Sequence, residues 1–305
     1  MHDLVIRNAR VIDGTGSAEF VGDMAVTDGV ITDVGEVTGN SSRQIDADGQ
    51  LLMPGWVDIH THYDGQATWD PEMTPSSWHG VTTAVFGNCG VGFAPVRPGS
   101  EDFLINLMEG VEDIPGSVLA EGIDFSWQSY PEYLDVLGSM PRVMDIGSQI
   151  PHGALRFYVM GERGADHNEI PDAGELLLME KLVVEAFAAG ALGFTTSRTT
   201  KHKAADGRLT PSLSAGDPEL AAIANAMRVA DAGILQVNSD FGYGEFETIR
   251  EAARISGRPL SALIIQVDHE PDLWRETLSN IEKANAEGIS ATGQVGCRPI
   301  GVLLG

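Results

Sequence analysis

The sequence predicts an α/β chain built as most of a (β/α)₈ TIM-like barrel behind a small β unit. Three observations lead there. After residue 55, apolar β-rich runs alternate with helical patterns, the rhythm of a parallel sheet with helices outside it. Before residue 55 there are only short strand-like runs separated by turn dipeptides. The first turn of the alternating part reads H-T-H-Y-D-G-Q, without the G-x-G-x-x-G of a nucleotide-binding doubly wound sheet.

In order, Leu4-Val5-Ile6, Val11-Ile12, Met24-Ala25-Val26 and Val30 to Val34 read as strands, punctuated by Asp13-Gly14, Asp28-Gly29 and Asp48-Gly49. Asp28-Gly29 between A-V-T and V-I-T is a hairpin signal. Seven barrel strands follow, at Trp56–His60, Thr82–Phe86, Val143–Ile150, Ala191–Thr196, Ile234–Asn238, Leu260–Val267 and Ile289–Val295. Between them the clearest helix is Ala173–Ala189, with Leu176, Leu177, Met179, Val183, Val184 and Phe187 on one broad face. Pro218–Ala232 and Pro271–Ala286 place proline at a helix start and run to Gly233 and Gly288. A closed barrel needs an eighth strand. With the apolar tail Gly301–Gly305, the sequence reads as the front part of a longer barrel protein, with residues 1–55 and 56–305 as its two domains.

Composition bounds the partners. Hydrophobic residues make up 43% and charged residues 21%, an ordinary globular profile. Against 19 Lys+Arg stand 44 Asp+Glu, a net charge of −25, which argues against nucleic acid and anionic membranes as partners. An anionic substrate would need a local basic patch. Two cysteines, Cys89 and Cys297, make no disulfide framework, and no signal peptide or membrane span is evident. These features predict a cytoplasmic protein with reduced thiols.

The run W-V-D-I-H-T-H at 56–62 holds the strongest chemical signal. Alternation on a strand puts Asp58, His60 and His62 on one side. Two imidazoles converging from rigid backbone make half of a metal site. Asp58 reads as a partner orienting an imidazole or as a buried structural acid. G-N-C-G alone is compatible with a tight turn around a buried cysteine; the His-x-His pair before it makes Cys89 a ligand candidate. Barrel active sites lie at the C-terminal strand ends, which nominates His152 and Arg156 after strand three and Arg198 and His202 after strand four. Arg198 either clamps a substrate carboxylate or anchors a loop, and Arg156 reads as a loop anchor. His79 reads as a helix-end residue, His167 as exposed, and Cys297 as a quiet buried thiol.

With P-G-W-V-D-I-H-T-H-Y-D at 54–64 and M-T-P-S-S-W-H-G-V-T-T-A-V-F-G-N-C-G at 73–90, the chain resembles the amidohydrolase superfamily. Within it, the chain is most similar to the N-acyl-D-amino-acid deacylases, the D-aminoacylase-like proteins. The resemblance implies a barrel with a small β-sandwich built from both chain ends, residues 1–55 being its N-terminal share. It also implies zinc, with His60, His62 and Cys89 as ligands, and hydrolysis of a non-peptide amide bond in a small N-acyl amino acid or related amide. His152, Arg198 and His202 are the expected substrate contacts, and the catalytic aspartate is expected after an eighth strand outside this chain. The family's histidines ending strands five and six have no counterpart here. Asn238 stands at the first place and Gln266 or Val267 at the second, with His269 just beyond, and strand four offers no bridging lysine. These departures imply a weak or single-metal site. Two other readings are a cyclic-amide hydrolase of the hydantoinase or dihydroorotase kind, and a metal-poor non-catalytic barrel or fragment acting as a subunit or scaffold. A homo-oligomer is compatible with all three.

Overall fold

The structure, a computed structural model, describes residues 1–242 and 244–296. By its contacts the chain divides into two compact units, Met1–Trp56 and a second beginning at Val57.

The first unit contains β1 (His2–Val11), β2 (Phe20–Thr27), β3 (Val30–Gly35), β4 (Ser41–Asp46) and β5 (Leu51–Leu52). They form one sheet in the order β3-β2-β1-β4, with β5 also on β1. Asp28 and Gly29 both take positive φ, 52° and 74°, which closes the β2–β3 hairpin as the dipeptide predicts. The core here is small, formed by Val5, Ala25 and Val37. Strand β4 was not foreseen. Its S-S-R-Q-I-D sequence has no buried face, and its parallel ladder with β1 forms it instead.

The second unit runs β6 (Trp56–Asp58), β7 (Val81–Phe86), α1 (Glu101–Glu112), α2 (Gly116–Gly122), α3 (Tyr130–Ser139), β8 (Asp145–Ser148), β9 (Ile150–Pro151), α4 (His152–Met160), α5 (Ala173–Ala189), β10 (Gly193–Arg198), α6 (Asp217–Ala230), β11 (Ile234–Ser239), α7 (Glu245–Ser256), β12 (Leu260–Leu263), α8 (Leu273–Ala286) and β13 (Ala291–Gln294). Strands β6-β7-β8 form one sheet and β9 to β13 another, in sequence order. Registers β7–β8 and β9 through β13 are all parallel. The predicted third barrel strand is therefore one run broken at Gln149, which hands pairing from β7 to β10. The Gln149 N–H still donates to Phe86 O at 2.9 Å.

Helix α5 has the predicted bounds because its ends are chemically fixed. Asp172 and Glu175 make a reciprocal capping box, and Gly190 (φ 116°) closes the C-terminus. Its buried Met179, Val183 and Ala186 pack in one cluster with Phe194, Leu235, Val237, Leu260 and Ala262 of the strands and Leu220, Ile223 and Met227 of α6. Each fully buried large side chain contributes about 1.5–3 kcal/mol.

Three barrel strands stop short of their predicted ends, the seventh by one residue at Gln294. β6 ends at Asp58 because its carboxylate accepts the His60 backbone N–H at 3.2 Å, an Asx turn that draws the chain out of the ladder. The predicted sixth strand ends at Leu263, and Gln266 and His269 lie exposed beyond it. Cys297 and the apolar tail lie outside the described residues.

Candidate metal centre

Donor atoms of His60, His62 and Cys89 lie within 4.8 Å of one another. His60 Nε2 is 3.2 Å from Cys89 Sγ, and the two imidazoles meet edge to face with centroids 5.4 Å apart. The histidines leave the end of β6, where Thr61 N–H donates to Val85 O and ties the segment to β7. Cys89 sits after β7 in a left-handed backbone conformation, φ 55° and ψ 17°, which a residue with a Cβ rarely adopts.

The surrounding sequence explains how that turn is held. A Cβ on Gly87 (φ 78°) would lie 2.1 Å from Gln149 O, and one on Gly90 (φ 69°) 2.9 Å from Ser197 N, so both glycines of G-N-C-G are required by space. The fully buried Thr195 of β10 accepts the Gly90 N–H at 3.0 Å and donates to Gly87 O, clasping the turn from both ends. Between them, Asn88 donates to Thr61 O and Val85 O, each at 3.0 Å, and accepts from Gln149 and Gln236, each at 2.8 Å. Gln236 also accepts the Cys89 N–H at 3.3 Å. His60 Nδ1 lies 3.0 Å from Gln294 Oε1 and 3.1 Å from Gln236 Nε2. A proton on Nδ1, donated to Gln294, leaves Nε2 with its lone pair towards the sulfur. Asp58 thus engages the His60 backbone, while amides face the ring.

Other groups converge on the same place. Glu112, the last residue of α1, puts Oε2 3.2 Å from His62 Nε2. Cys89, Glu112 and His202 form a second set of donor atoms within 4.8 Å. Burial, with the charge of Asp64 added, pushes the Glu112 carboxyl up to about 8, and burial pushes Asp64 up to about 7. Burial also holds His62 well below its ordinary value and Cys89 well above. His62 Nδ1 and Asp64 Oδ2 are buried without a hydrogen-bond partner. The centre therefore gathers two carboxyls, a thiol and imidazoles while none of its acids is paired with a lysine or arginine among the described residues. Burial favours the neutral form of these acids, and a cation bound beside them would favour the ionised form. The donor set, imidazole nitrogens with one sulfur, suits zinc and its neighbours in the transition series.

The other residues predicted at the rim are placed differently. His202 enters the centre, with Nδ1 2.9 Å from Ser197 Oγ and Nε2 3.2 Å from Asn238 Nδ2. His152 is wholly buried, 2.9 Å from both Thr196 Oγ1 and Glu219 Oε1, so its ring faces a structural network in place of a substrate. Arg156, also wholly buried, pairs with Glu219 and donates to Glu169 O. Arg198 is engaged by Glu245 and by Ala215 O, leaving its guanidinium tied to the protein. His79 ends a short 3₁₀ turn before Gly80, and His167, expected to be exposed, is half-buried with Nδ1 2.9 Å from Ser214 Oγ. Gln266 stays on the surface, so of the two predicted histidine replacements only Asn238 reaches the centre.

Sequence reasoning missed Glu112, Asp64, Gln236, Gln294 and Thr195. Two signals were available. A carboxylate in the last turn of a helix opposes the helix dipole, as Glu112 does. Glutamine inside the apolar run I-L-Q-V is costly unless it is bonded, as Gln236 is.

Comparison with known proteins identifies the family. Residues 43–305 match the Amidohydrolase family, and the chain belongs to that family. The D-aminoacylase of Alcaligenes xylosoxydans is 27% identical over 292 residues, 93% of this chain and 55% of that protein. The N-acyl-D-aspartate deacylase of the same organism is 28% identical over 291 residues, 93% and 54%. An uncharacterised Mycobacterium tuberculosis protein is 34% identical over 201 residues, 64% of this chain and 32% of its own length. A crystal structure of D-aminoacylase superposes with a TM-score of 0.78 at 25% identity, covering 97% of this chain and 58% of that one. Another D-aminoacylase structure, 26% identical with a TM-score of 0.77 and the same coverage, is described as having a binuclear metal centre. The chain thus spans about half the length of the D-aminoacylase-type relatives it matches.

Proposed function

We propose that the protein is a zinc-dependent hydrolase of non-peptide amide bonds, acting on small N-acyl amino acids. The observation behind this reading is the convergence of His60, His62 and Cys89 donor atoms within 4.8 Å at the C-terminal ends of the first two barrel strands. The deacylase names of the relatives spanning most of the chain supply the substrate class. Bound zinc supplies an activated water at neutral pH and polarises the amide carbonyl.

The chain's own residues prepare that place. Gln294 accepts from His60 Nδ1 and orients the ring, and Thr195 fixes the turn bearing Cys89. Glu112 is positioned against His62, and in the metal-free protein its carboxyl keeps its proton to about pH 8. Reduced Cys89 suits a reducing compartment, and the cytoplasm is the proposed location. Among the described residues no helix is long and apolar enough to cross a membrane.

The test is amine release from a panel of N-acyl-D- and N-acyl-L-amino acids by the zinc-loaded protein, with metal content measured in parallel. Turnover of at least one substrate, lost together with bound zinc in a His60→Ala, His62→Ala variant, is expected. A wild-type protein that binds no metal and releases no amine from the panel overturns the reading.

A further inference from the structure

Cys89, Glu112 and His202 offer thiolate, carboxylate and imidazole within 4.8 Å, a set that shares the Cys89 sulfur with the His60–His62 set. Three protein donors of these types suffice for a divalent transition ion with an open coordination position. An amide group stands among them. Asn238, on β11, directs Nδ2 at His202 Nε2 (3.2 Å) and at Cys89 Sγ (3.7 Å). The NH₂ of an amide only donates, so it engages the imidazole lone pair and faces the sulfur, the electron pairs a second ion would require. The other side of the ring is fixed as well. His202 Nδ1 lies 2.9 Å from the oxygen of Ser197, a residue of β10 with no exposed surface, and donates to it when Nε2 accepts.

We propose that Asn238 takes the place of a second cation: its amide joins His202 to Cys89 without charge and restricts the centre to one divalent ion, held by His60, His62 and Cys89. This rests on the metal-binding reading above and adds the ion count and the residue that sets it. Replacing the amide frees both electron pairs, and an aspartate at the same position adds a ligand oxygen.

The experiment counts ions. Wild type, Asn238→Ala and Asn238→Asp are loaded with excess Zn²⁺, desalted and analysed for metal. Co²⁺ titrations follow the thiolate-to-cobalt absorption band, and circular dichroism melts check folding. One ion per chain is expected for wild type and two for the Asn238 variants. Adding Glu112→Gln or His202→Ala to Asn238→Asp should remove the second ion and keep the first. In the wild-type background the same two substitutions should leave one ion bound, a measurement that does not depend on the Asn238 variants folding. Two ions on wild type, a folded Asn238→Asp variant that stays at one, or loss of the single ion from Glu112→Gln or His202→Ala overturns the proposal. Wild type with no ion at all overturns the metal-binding reading itself, a different result from a wrong count.

Discussion

The barrel holds two buried polar clusters that solve the same electrostatic problem differently. In one, Glu219 is met by Arg156 and by His152, and the three side chains are at most 2% exposed. In the other, Glu112 and Asp64 lie beside Cys89, His60, His62 and His202, with Asp64 Oδ2 and His62 Nδ1 unpartnered. The first is wholly buried, whereas in the second Asp64 and Cys89 are buried and His60, His62, Glu112 and His202 are half-buried. The first is balanced from within, so nothing further is needed there and it ties α4 to α6. The second has no internal cation among the described residues, and burial neutralises it by raising the Glu112 and Asp64 carboxyls to about 8 and about 7. A buried acid with its own arginine is architecture, and a buried acid among soft donors without one is the kind of place where a binding site is sought.

The contrast can be broken from either side. The largest effect is expected from Arg156→Met, which leaves Glu219 buried with its guanidinium partner removed. Denaturant unfolding should show a loss of about 3–5 kcal/mol, with zinc content per folded chain unchanged. Chelation is the matching perturbation of the second cluster. Relative to free zinc at a hundred times its dissociation constant, stripping the ion should cost about 2.7 kcal/mol, read as a lower thermal midpoint. A chelator that leaves the midpoint of a zinc-loaded sample unmoved would equate the two clusters.

Thr195→Val comes next. It removes the hydroxyl that clasps both ends of G-N-C-G and leaves the Gly90 N–H buried without its acceptor, at a cost of about 1–3 kcal/mol. Zinc affinity should weaken about 10–100-fold by calorimetric titration, because the turn carrying Cys89 loses its support.

The smallest effect is in the acid limb. Burial raises the Glu219 pKa, but hydrogen bonds and charge from His152 and Arg156 outweigh it, and the net value lies below the ordinary 4.5. The unfolded state therefore binds more protons just below pH 4.5, so this contribution is present above 4.5 and fades as pH falls through the folded value. Burial also lowers His152, against the attraction of Glu219, which steepens the loss of stability below its ordinary 6.5. Urea unfolding across pH 3–7 should show the limb in wild type, and in Glu219→Gln the part below pH 4.5 should be shallower.

Much of this was legible in the sequence, for physical reasons that differ along the chain. His60, His62 and Cys89 were legible because they sit at the mouths of strands, the His-x-His pair just past the end of β6 and the cysteine in a glycine-framed turn after β7, although the strand alternation expected for the pair stops at Asp58. Helix α5 could be bounded because its caps lie in the sequence itself. The balanced cluster was half visible. Arg156 read as an anchor, but Glu219 on α6 is 63 residues away and nothing local announces it. Glu112 was hidden because the last residue of a helix ordinarily meets water, and only the packing of α1 places it on His62. His202 read as a rim contact because the loop after strand four has no periodicity to fix its direction. Strand three read as one run because its apolar character continues through the break at Gln149.

The left-handed backbone at Cys89 narrows which mutations the centre can explore. Apart from glycine, the residues that tolerate such a φ best are asparagine, aspartate and histidine. Of these, only aspartate also brings an anionic donor. An exit that keeps an anionic donor at this position therefore leads from a soft sulfur to a hard oxygen, which would move the proposed centre's preference from zinc-like ions towards manganese or magnesium.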